Sequence, residues 1–336
     1  MNQNKIIKKP RYCCWVLNYR CMLRCKMCNI WNIKDDRQSE ATMEQKKRFV
    51  ESLRGMVEQG FEFHLSGGEP LLNENILDLV NFIAAEGYKT NVVTNGFLID
   101  EAMAKNIVNS SLETLTISLD GVNPETHNFI RGTKGSYDRI MKAIEYVEKF
   151  RKNGKLRISI LTIIMERNLD EILKLVDWVQ KDKRIEMVSF QAITQPFGEE
   201  IDNTWFMKEK NNIFWPQDTE KTSVIMEKLR ELRLNGYKIG NHHNHFLHFK
   251  EYFKDPNKFL KKIKCNLGDY EFHVDPYGKT FFCCLMEPIG NIKTDSLSEI
   301  WHSRKAQNIR ENVYNCKKNC HIMINCFYED EVKKYE

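Results

Sequence analysis

The sequence has no cysteine between residues 29 and 264, although it contains 11 cysteines in 336 residues. It also lacks an apolar run that could cross a bilayer, because the longest apolar-rich stretch covers only Ile158 to Met165. The first residues include lysines with no apolar segment behind them, which predicts that there is no secretory signal. With 51 basic and 46 acidic residues, the charge is too balanced to indicate nucleic-acid or membrane binding. We therefore expect a cytoplasmic protein.

The cysteines are concentrated in two groups near the two ends of the chain. The first group precedes Asn29 and the second follows Lys264. Disulfide scaffolds are typical of short secreted chains, and this chain fits neither description. Clustered cysteines in a reducing compartment indicate metal ligands instead. The two groups are Cys13, Cys14, Cys21, Cys25 and Cys28, and Cys265, Cys283, Cys284, Cys316, Cys320 and Cys326.

Between residues 10 and 195, strand-like apolar runs alternate with segments of helical period. This alternation predicts an α/β fold with a parallel sheet, either an open doubly wound sheet or an incomplete barrel. In both folds the functional residues gather at the carboxyl ends of the strands. The predicted strands are Tyr12–Leu17, Phe61–Leu65, Tyr88–Val93, Leu112–Leu119, Leu156–Ile164 and Ile185–Gln191.

Three cysteines follow the first predicted strand in one short segment, Cys21-Met-Leu-Arg-Cys25-Lys-Met-Cys28. A structural zinc site usually needs four ligands, so three thiolates on one loop leave one position open. An iron–sulfur cluster with three thiolates has one iron that is free to bind another ligand, which makes catalysis possible.

Other short motifs stand where later strands end. The segment Ser66–Pro70 contains two glycines, which let the backbone approach a ligand closely, and Glu69, whose carboxylate suits an ammonium group. Asn95 follows the third strand, and Ser118 and Asp120 stand at the end of the fourth. Together with the three-cysteine loop, these motifs resemble the radical S-adenosylmethionine (SAM) superfamily over about residues 10–195.

The resemblance implies an incomplete (β/α)6 barrel and a [4Fe-4S] cluster held by Cys21, Cys25 and Cys28. It implies that SAM binds the open iron and is cleaved to a 5′-deoxyadenosyl radical, which abstracts a hydrogen atom from the substrate. An electron donor of the flavodoxin or ferredoxin type follows from this chemistry. The resemblance assigns to SAM the residues Met27, Gly67, Gly68, Glu69, Pro70 and Ser118. Asn95, Asp120 and Arg131 are further candidates that could equally form turns or carry solvated charge.

The second cysteine group, with Gly278 between Cys265 and Cys283, resembles the SPASM and twitch extensions of this superfamily. These extensions hold auxiliary [4Fe-4S] clusters. The full SPASM pattern needs more cysteines than this chain has, and Asp330 stands where one of them would fall. We therefore expect one auxiliary cluster, held by Cys265, Cys283 and two others. The sequence does not choose these two among Cys316, Cys320 and Cys326.

By this resemblance we predict three parts: the partial barrel (10–195), a connecting helical region (196–264) and the auxiliary-cluster domain (265–330). Cys284 adjoins the predicted ligand Cys283, and alternation along a strand would turn it away from the cluster. It is then either a small buried residue or, as in radical SAM epimerases, the catalytic thiol that returns a hydrogen atom to the substrate radical.

The substrate remains open between two classes. Relatives with such extensions modify ribosomally made peptides, which we favour, while others dehydrogenate or epimerise amino sugars and cyclitols. A non-catalytic iron–sulfur protein would also explain the cysteines, but it would have no need of the Ser66–Pro70 motif. Formation of 5′-deoxyadenosine from SAM separates these possibilities.

Overall fold

The computed structural model describes residues 7–151, 155–260, 265–318 and 320–326. Six strands alternate with helices in its first part, and their ends lie within two residues of the predicted ones. The position of Asp330 lies outside the described residues. The strands are β1 (Tyr12–Val16), β2 (Glu62–Ser66), β3 (Lys89–Thr94), β4 (Thr114–Ser118), β5 (Arg157–Ile164) and β6 (Met187–Ala192).

The α-helices surround these strands and continue into the second half of the chain. None of those within the described ranges combines the length and the apolar character that a membrane crossing needs. Short 3-10 helices cover Ile30–Asn32, Arg37–Ser39, Pro70–Leu72, Glu166–Glu171, Trp205–Met207 and His321–Asn325. The α-helices are α1 (Met43–Glu51), α2 (Ile76–Ala85), α3 (Glu101–Asn109), α4 (Pro124–Arg131), α5 (Ser136–Phe150), α6 (Ile172–Lys181), α7 (Glu209–Asn212), α8 (Thr219–Leu234), α9 (His245–Lys254), α10 (Pro256–Leu260), α11 (Leu267–Tyr270), α12 (Leu297–His302) and α13 (Arg304–Tyr314).

The strands form one sheet in the order β6-β5-β4-β3-β2-β1-β7-β8-β9, where the last three are β7 (Glu271–Val274), β8 (Lys279–Phe281) and β9 (Gly290–Asn291). All pairs from β1 to β6 are parallel, and β7 pairs in parallel with β1. Strands β8 and β9 continue the sheet with antiparallel pairs. This confirms the α/β class and the incomplete barrel, and it joins the C-terminal hairpin directly to the barrel sheet.

Side chains of β1 alternate between a helix-covered face and the barrel interior. Cys13 and Trp15 are fully buried, and the Trp15 ring packs against Phe49 of α1 with a centroid distance of 6.0 Å. Cys14 points to the opposite face and is only half-buried. From their place in the first strand we expect both thiols in the core. This expectation is right for Cys13, whereas Cys14 is half-buried on the other face of the strand.

The last described segment covers the open side of the barrel next to β6. Asn325 donates to the Ala192 carbonyl at 2.9 Å and accepts from the Ala192 N–H at 2.8 Å. Its side-chain amide thus forms the two hydrogen bonds that the backbone of a neighbouring strand would form. His245 of α9 contacts the Ile324 carbonyl through Nε2 at 2.7 Å. Burial lowers the pKa of His245 to about 4, so this imidazole is neutral at physiological pH. These contacts hold the final cysteines against the barrel.

Candidate active site

A cavity of about 840 Å³ opens at the carboxyl ends of the barrel strands. Its wall combines the three-cysteine loop with the ends of β2 to β6 on one side. The other side consists of the C-terminal hairpin and the final cysteine segment. Because its two groups of cysteines come from opposite ends of the chain, the cavity exists only in the folded protein. The thiol-bearing residues in its wall are Cys21, Cys25, Cys28, Cys265, Cys283, Cys284, Cys316, Cys320 and Cys326.

The three-cysteine loop is held against the end of α4. The Lys26 N–H donates to the Ile130 carbonyl at 2.9 Å, and the Cys28 N–H donates to the Cys25 carbonyl at 3.2 Å. Gly132 follows α4 with a φ of 63°, and a Cβ placed there would lie 2.1 Å from the Arg24 carbonyl oxygen. Only glycine permits this approach, so Gly132 is a residue of the site that motif reasoning did not select.

One guanidinium faces the buried thiols of this loop. Burial raises the pKa of Cys25 to about 11, and the positive charge of Arg131 opposes that rise. Arg131 Nη2 lies 2.7 Å from Asp120 Oδ2, while its Nε has no hydrogen-bond partner among the described residues. Asp120 also accepts from the Ile163 N–H at 3.1 Å and is fully buried, outside the cavity wall. Arg131 therefore lines the cavity, and the ion pair with buried Asp120 holds its guanidinium in place.

Gly67 and Gly68 let the end of β2 pack against the segment that leads into Cys21. A Cβ on Gly68 would lie 2.1 Å from the Arg20 carbonyl oxygen, and one on Gly67 would lie 2.5 Å from the Asn18 carbonyl oxygen. The structure thus gives both glycines a packing role beyond the close ligand approach expected from the sequence. Both also line the cavity, so their contact with SAM stays a prediction.

We predict that Gly68→Ala lowers the free energy of unfolding by about 3 kcal/mol, because the added methyl group would collide with a rigid carbonyl. Urea denaturation measures this loss. Gly87→Ala serves as the control, since a Cβ there meets open space and only its positive φ of 86° opposes the change. Equal effects of the two substitutions would contradict the packing argument.

Glu69 connects the end of β2 to the end of β3. Its carboxylate accepts from Leu71 N at 3.0 Å, from Thr94 Oγ1 at 2.7 Å and from Asn95 N at 2.9 Å. Burial raises its pKa, and these hydrogen bonds oppose the rise. Glu69 is fully buried and does not line the cavity wall, so the predicted contact with an ammonium group stays a prediction. Pro70 opens the 3-10 turn that follows.

The remaining residues predicted to bind SAM lie around the same end of the cavity. Asn95 Nδ2 is 3.7 Å from Cys21 Sγ, so this side chain links the end of β3 to the thiol loop. Met27 is buried in the cavity wall, and Ser118 lines it at the end of β4. The fold therefore brings Met27, Asn95 and Ser118 together with Arg131 and the glycines of β2.

In the C-terminal group, the thiols of Cys265, Cys283, Cys316, Cys320 and Cys326 lie close enough to influence one another's pKa. Burial raises the pKa of Cys265 to about 12, and the charges of Cys283, Cys320 and Cys316 add to that rise. Burial also raises the pKa of Cys326, but the nearby charges with the largest effects there are Glu271 and Cys14 in the barrel interior. Cys265 and Cys320 add smaller increases, so this thiol borders both the barrel interior and the other C-terminal thiols.

The expected orientation of Cys284 is wrong. Strand β8 ends at Phe281, so the alternation of a strand does not extend to residues 283 and 284. Both thiols line the cavity, and Cys284 is exposed rather than buried. A hydrogen bond from Cys284 lowers the pKa of Cys283 to about 6 and raises the pKa of Cys284. Its role as a hydrogen donor stays a prediction.

His273 is a cavity residue that motif reasoning missed. It lies on β7 with Nε2 3.3 Å from Glu271 Oε1. Burial lowers its pKa most, but the hydrogen bond to Glu271 and the negative charges of Glu271 and Cys283 together outweigh this effect and raise the pKa. The sequence offered one signal for this residue. Glu271 and His273 are two residues apart on a strand between the predicted ligands Cys265 and Cys283, so they share one face of that strand.

The donor chemistry of both groups fits iron–sulfur clusters. Among the described side chains, no three of His, Cys, Asp or Glu converge as ligands of a single metal ion. The thiolates of a four-iron cluster bind separate irons, so they do not need to converge on one point. Three thiols on one loop beside the orphaned Nε of Arg131 therefore suit a negatively charged cluster with one open iron.

Comparison with known proteins identifies the family. The Radical SAM superfamily matches residues 15–179, and the SPASM iron–sulfur cluster-binding domain matches residues 265–326. The chain belongs to the radical SAM superfamily and carries a SPASM-type domain. These domains imply a [4Fe-4S] cluster that binds SAM and an auxiliary cluster, which confirms the predicted cofactors.

The names of similar proteins indicate different substrates. The chain is 25% identical over 303 residues to an AdoMet-dependent heme synthase of Methanosarcina barkeri, covering 88% of this chain and 82% of that protein. It is 23% identical over 309 residues to a PqqA peptide cyclase of Rhizobium meliloti, covering 87% and 73%. SuiB of Streptococcus suis bound to precursor peptide SuiA shares the fold, with a TM-score of 0.66, 17% identity and coverage of 90% and 67%.

Proposed function

We propose that this protein cleaves SAM reductively and modifies a peptide bound in the cavity between its two cysteine groups. The observation that carries the proposal is that one cavity is lined by both groups. A substrate in this space would lie between the site of SAM and the auxiliary site. The Rhizobium meliloti peptide cyclase and SuiB with its precursor peptide support a peptide as the substrate.

At the first site, Cys21, Cys25 and Cys28 would hold the cluster, while Ser118 and Arg131 would bind SAM. When bound, this cluster supplies the electron that cleaves SAM and releases the radical that abstracts hydrogen. The guanidinium of Arg131 suits the SAM carboxylate, because it lines the cavity and Asp120 orients it. Buried Met27 and the apolar wall exclude water from the reacting atoms.

The size of the cavity limits how a peptide would bind. Ligand sites commonly span about 300–1,000 Å³, and this cavity of about 840 Å³ must hold SAM together with the reacting part of the substrate. We therefore expect one or two peptide side chains to enter while the rest of the peptide lies outside.

The test is anaerobic incubation with SAM, dithionite and short peptides encoded beside the gene. Formation of 5′-deoxyadenosine together with a mass change in one peptide would support the proposal. Protein that holds its clusters but forms no 5′-deoxyadenosine would favour a non-catalytic iron–sulfur protein.

A small-molecule substrate is the second candidate, because the heme synthase is similar over most of this chain. The predicted alternative of an amino sugar or cyclitol belongs to the same class. Coupled turnover of such a compound, with every peptide unchanged, would favour this candidate. In either case the reaction needs an external electron donor, for which a flavodoxin or ferredoxin is our proposal.

At the auxiliary site, we assign the cluster to Cys265, Cys283, Cys316 and Cys320, because the charges of the last three act on the Cys265 thiol, whereas Glu271 and Cys14 act most strongly on Cys326. We predict about eight irons in the reconstituted protein, about eight in Cys326→Ser and about four in Cys320→Ser. Iron and sulfide analysis after anaerobic reconstitution measures these values. Loss of about four irons in Cys326→Ser would show that Cys326 is a ligand.

Cys284 is the thiol that we propose as a hydrogen donor. If the reaction is redox-neutral, Cys284 gives its hydrogen atom to the substrate radical, and the resulting thiyl radical needs one electron and one proton to recover. Cys284→Ala should then form 5′-deoxyadenosine at the wild-type rate while the normal product is lost.

The measurement is product analysis in heavy water, with iron content as a check on cluster loading and Cys14→Ala as the control. Normal product formation by Cys284→Ala would instead favour oxidation of the substrate.

A further inference from the structure

Arg310 is a buried cation that has no salt bridge to any described residue. It lies on α13, only 5% exposed, with its guanidinium carbon 4.5 Å from the Phe282 ring centroid and 4.4 Å from that of Trp301. These rings contact each other edge-on at 5.2 Å. The guanidinium thus packs against both aromatic rings.

The same side chain joins the segments that carry the proposed ligands. Its Nε donates to the Gly268 carbonyl at 2.9 Å, and a Cβ on Gly268 would lie 2.8 Å from Arg310 Cγ. Gly268 follows Cys265 by three residues and Phe282 directly precedes Cys283. Arg310 itself lies on the helix that leads into the Cys316–Cys320 segment. The Arg310 side chain therefore contacts the segments that follow Cys265 and precede Cys283, and Arg310 itself lies on the helix before Cys316 and Cys320.

The charge of Arg310 has no counterion within hydrogen-bond or salt-bridge distance. Nη1 and Nη2 have no hydrogen-bond partner in the part of the chain that the structure describes. Burial lowers the pKa of Arg310 to about 10, although Tyr314 and Asp269 oppose the shift, so it remains a cation at neutral pH. Burial of an ion without a counterion is unfavourable, and contacts with two rings offset only part of that cost.

We infer that Arg310 is the positioning residue of the auxiliary cluster and that its positive charge favours the reduced cluster. This inference rests on the proposed function, which places a cluster at Cys265, Cys283, Cys316 and Cys320. A four-iron cluster with four thiolates is negatively charged, and reduction adds a further negative charge. The cluster would thus add an anion to Asp269, which acts on Arg310 without a salt bridge, and the cation should raise the reduction potential of the cluster.

The test uses the full chain with Cys21, Cys25 and Cys28 replaced by alanine, so that only the auxiliary cluster forms. Arg310→Met removes the charge but keeps an apolar stem, and Arg310→Lys keeps the charge. Arg304→Met is the matched control, because Arg304 is exposed on the same helix. The readouts are iron content, the midpoint potential from a redox titration followed by electron paramagnetic resonance, and thermal unfolding without iron.

We expect Arg310→Met to lower the midpoint potential and to weaken iron retention, while Arg310→Lys keeps a potential near that of the parent. Without iron, Arg310→Met should unfold at the same or a higher temperature, because it removes an ion without a counterion. An unchanged potential in Arg310→Met would overturn the inference, as would equal destabilisation of the iron-free and iron-loaded forms. A parent protein without iron would remove the proposed auxiliary site itself, and the inference with it.

Discussion

Replacement of Cys25 by alanine is expected to abolish the formation of 5′-deoxyadenosine from SAM. Cys25 is the most deeply buried of the three thiols on the loop after β1, and the positive charge of Arg131 favours its thiolate form. Two remaining thiols cannot hold a four-iron cluster with a single open iron. Without that cluster, SAM has neither a binding iron nor an electron source.

Chromatography of anaerobic reactions with dithionite measures the 5′-deoxyadenosine. Cys14→Ala is the matched control, because Cys14 lies on β1 near the loop but outside the predicted ligands. Substantial 5′-deoxyadenosine from Cys25→Ala, with Cys14→Ala active, would exclude this loop as the site of SAM cleavage. No motif that resembles a SAM site accompanies the C-terminal cysteines, so they should not replace the lost activity.

Replacement of Cys265 by alanine is expected to halve the iron content, to about four irons, and to abolish product formation. Some 5′-deoxyadenosine should still form, because the first site lies on the other side of the cavity. The thermal midpoint should also fall, since a bound cluster connects the segments before α11, after β8 and after α13. The loss of product and the survival of SAM cleavage together distinguish this variant from Cys25→Ala.

Iron analysis, product analysis and thermal unfolding of the same preparation measure these effects. Cys326→Ser provides the comparison, since Glu271 and Cys14 act on its thiol more strongly than Cys265 and Cys320 do. Equal loss of 5′-deoxyadenosine in Cys25→Ala and Cys265→Ala would contradict the division of roles between the two sites.

The strands and the first cysteine loop could be predicted because their signals are local. Apolar runs of strand length lie between helical patterns, and Cys21, Cys25 and Cys28 occupy a single loop, so no knowledge of distant contacts was needed. Ser118 and Asn95 were found for a related reason, since the carboxyl ends of parallel strands meet at one edge of a sheet. Spacing along the chain is enough wherever the fold brings consecutive strand ends together.

The contacts of Glu69 could not be predicted in the same way. A motif indicates which residue types occur together, but not whether a carboxylate turns to a ligand or to the neighbouring strand. In the structure, Thr94 and Asn95 satisfy this carboxylate. Cys284 was misplaced because strand alternation was extended beyond Phe281, where β8 ends. Gly132 and Arg310 have no recognisable motif, since their roles depend on a carbonyl and on rings distant in sequence.

The sequence by itself determined the α/β class, the order of the strands along the chain, the three-cysteine loop and the membership in a superfamily with an auxiliary-cluster extension. Each of these depends on local pattern or on short spacing. Only the tertiary structure decided that both cysteine groups line one cavity and that Cys326 lies near Glu271 and Cys14 of the barrel sheet. The pairing of β7 with β1 and the amide contacts of Asn325 bring the two ends of the chain together. Such long-range contacts depend on packing, which no spacing along the chain encodes.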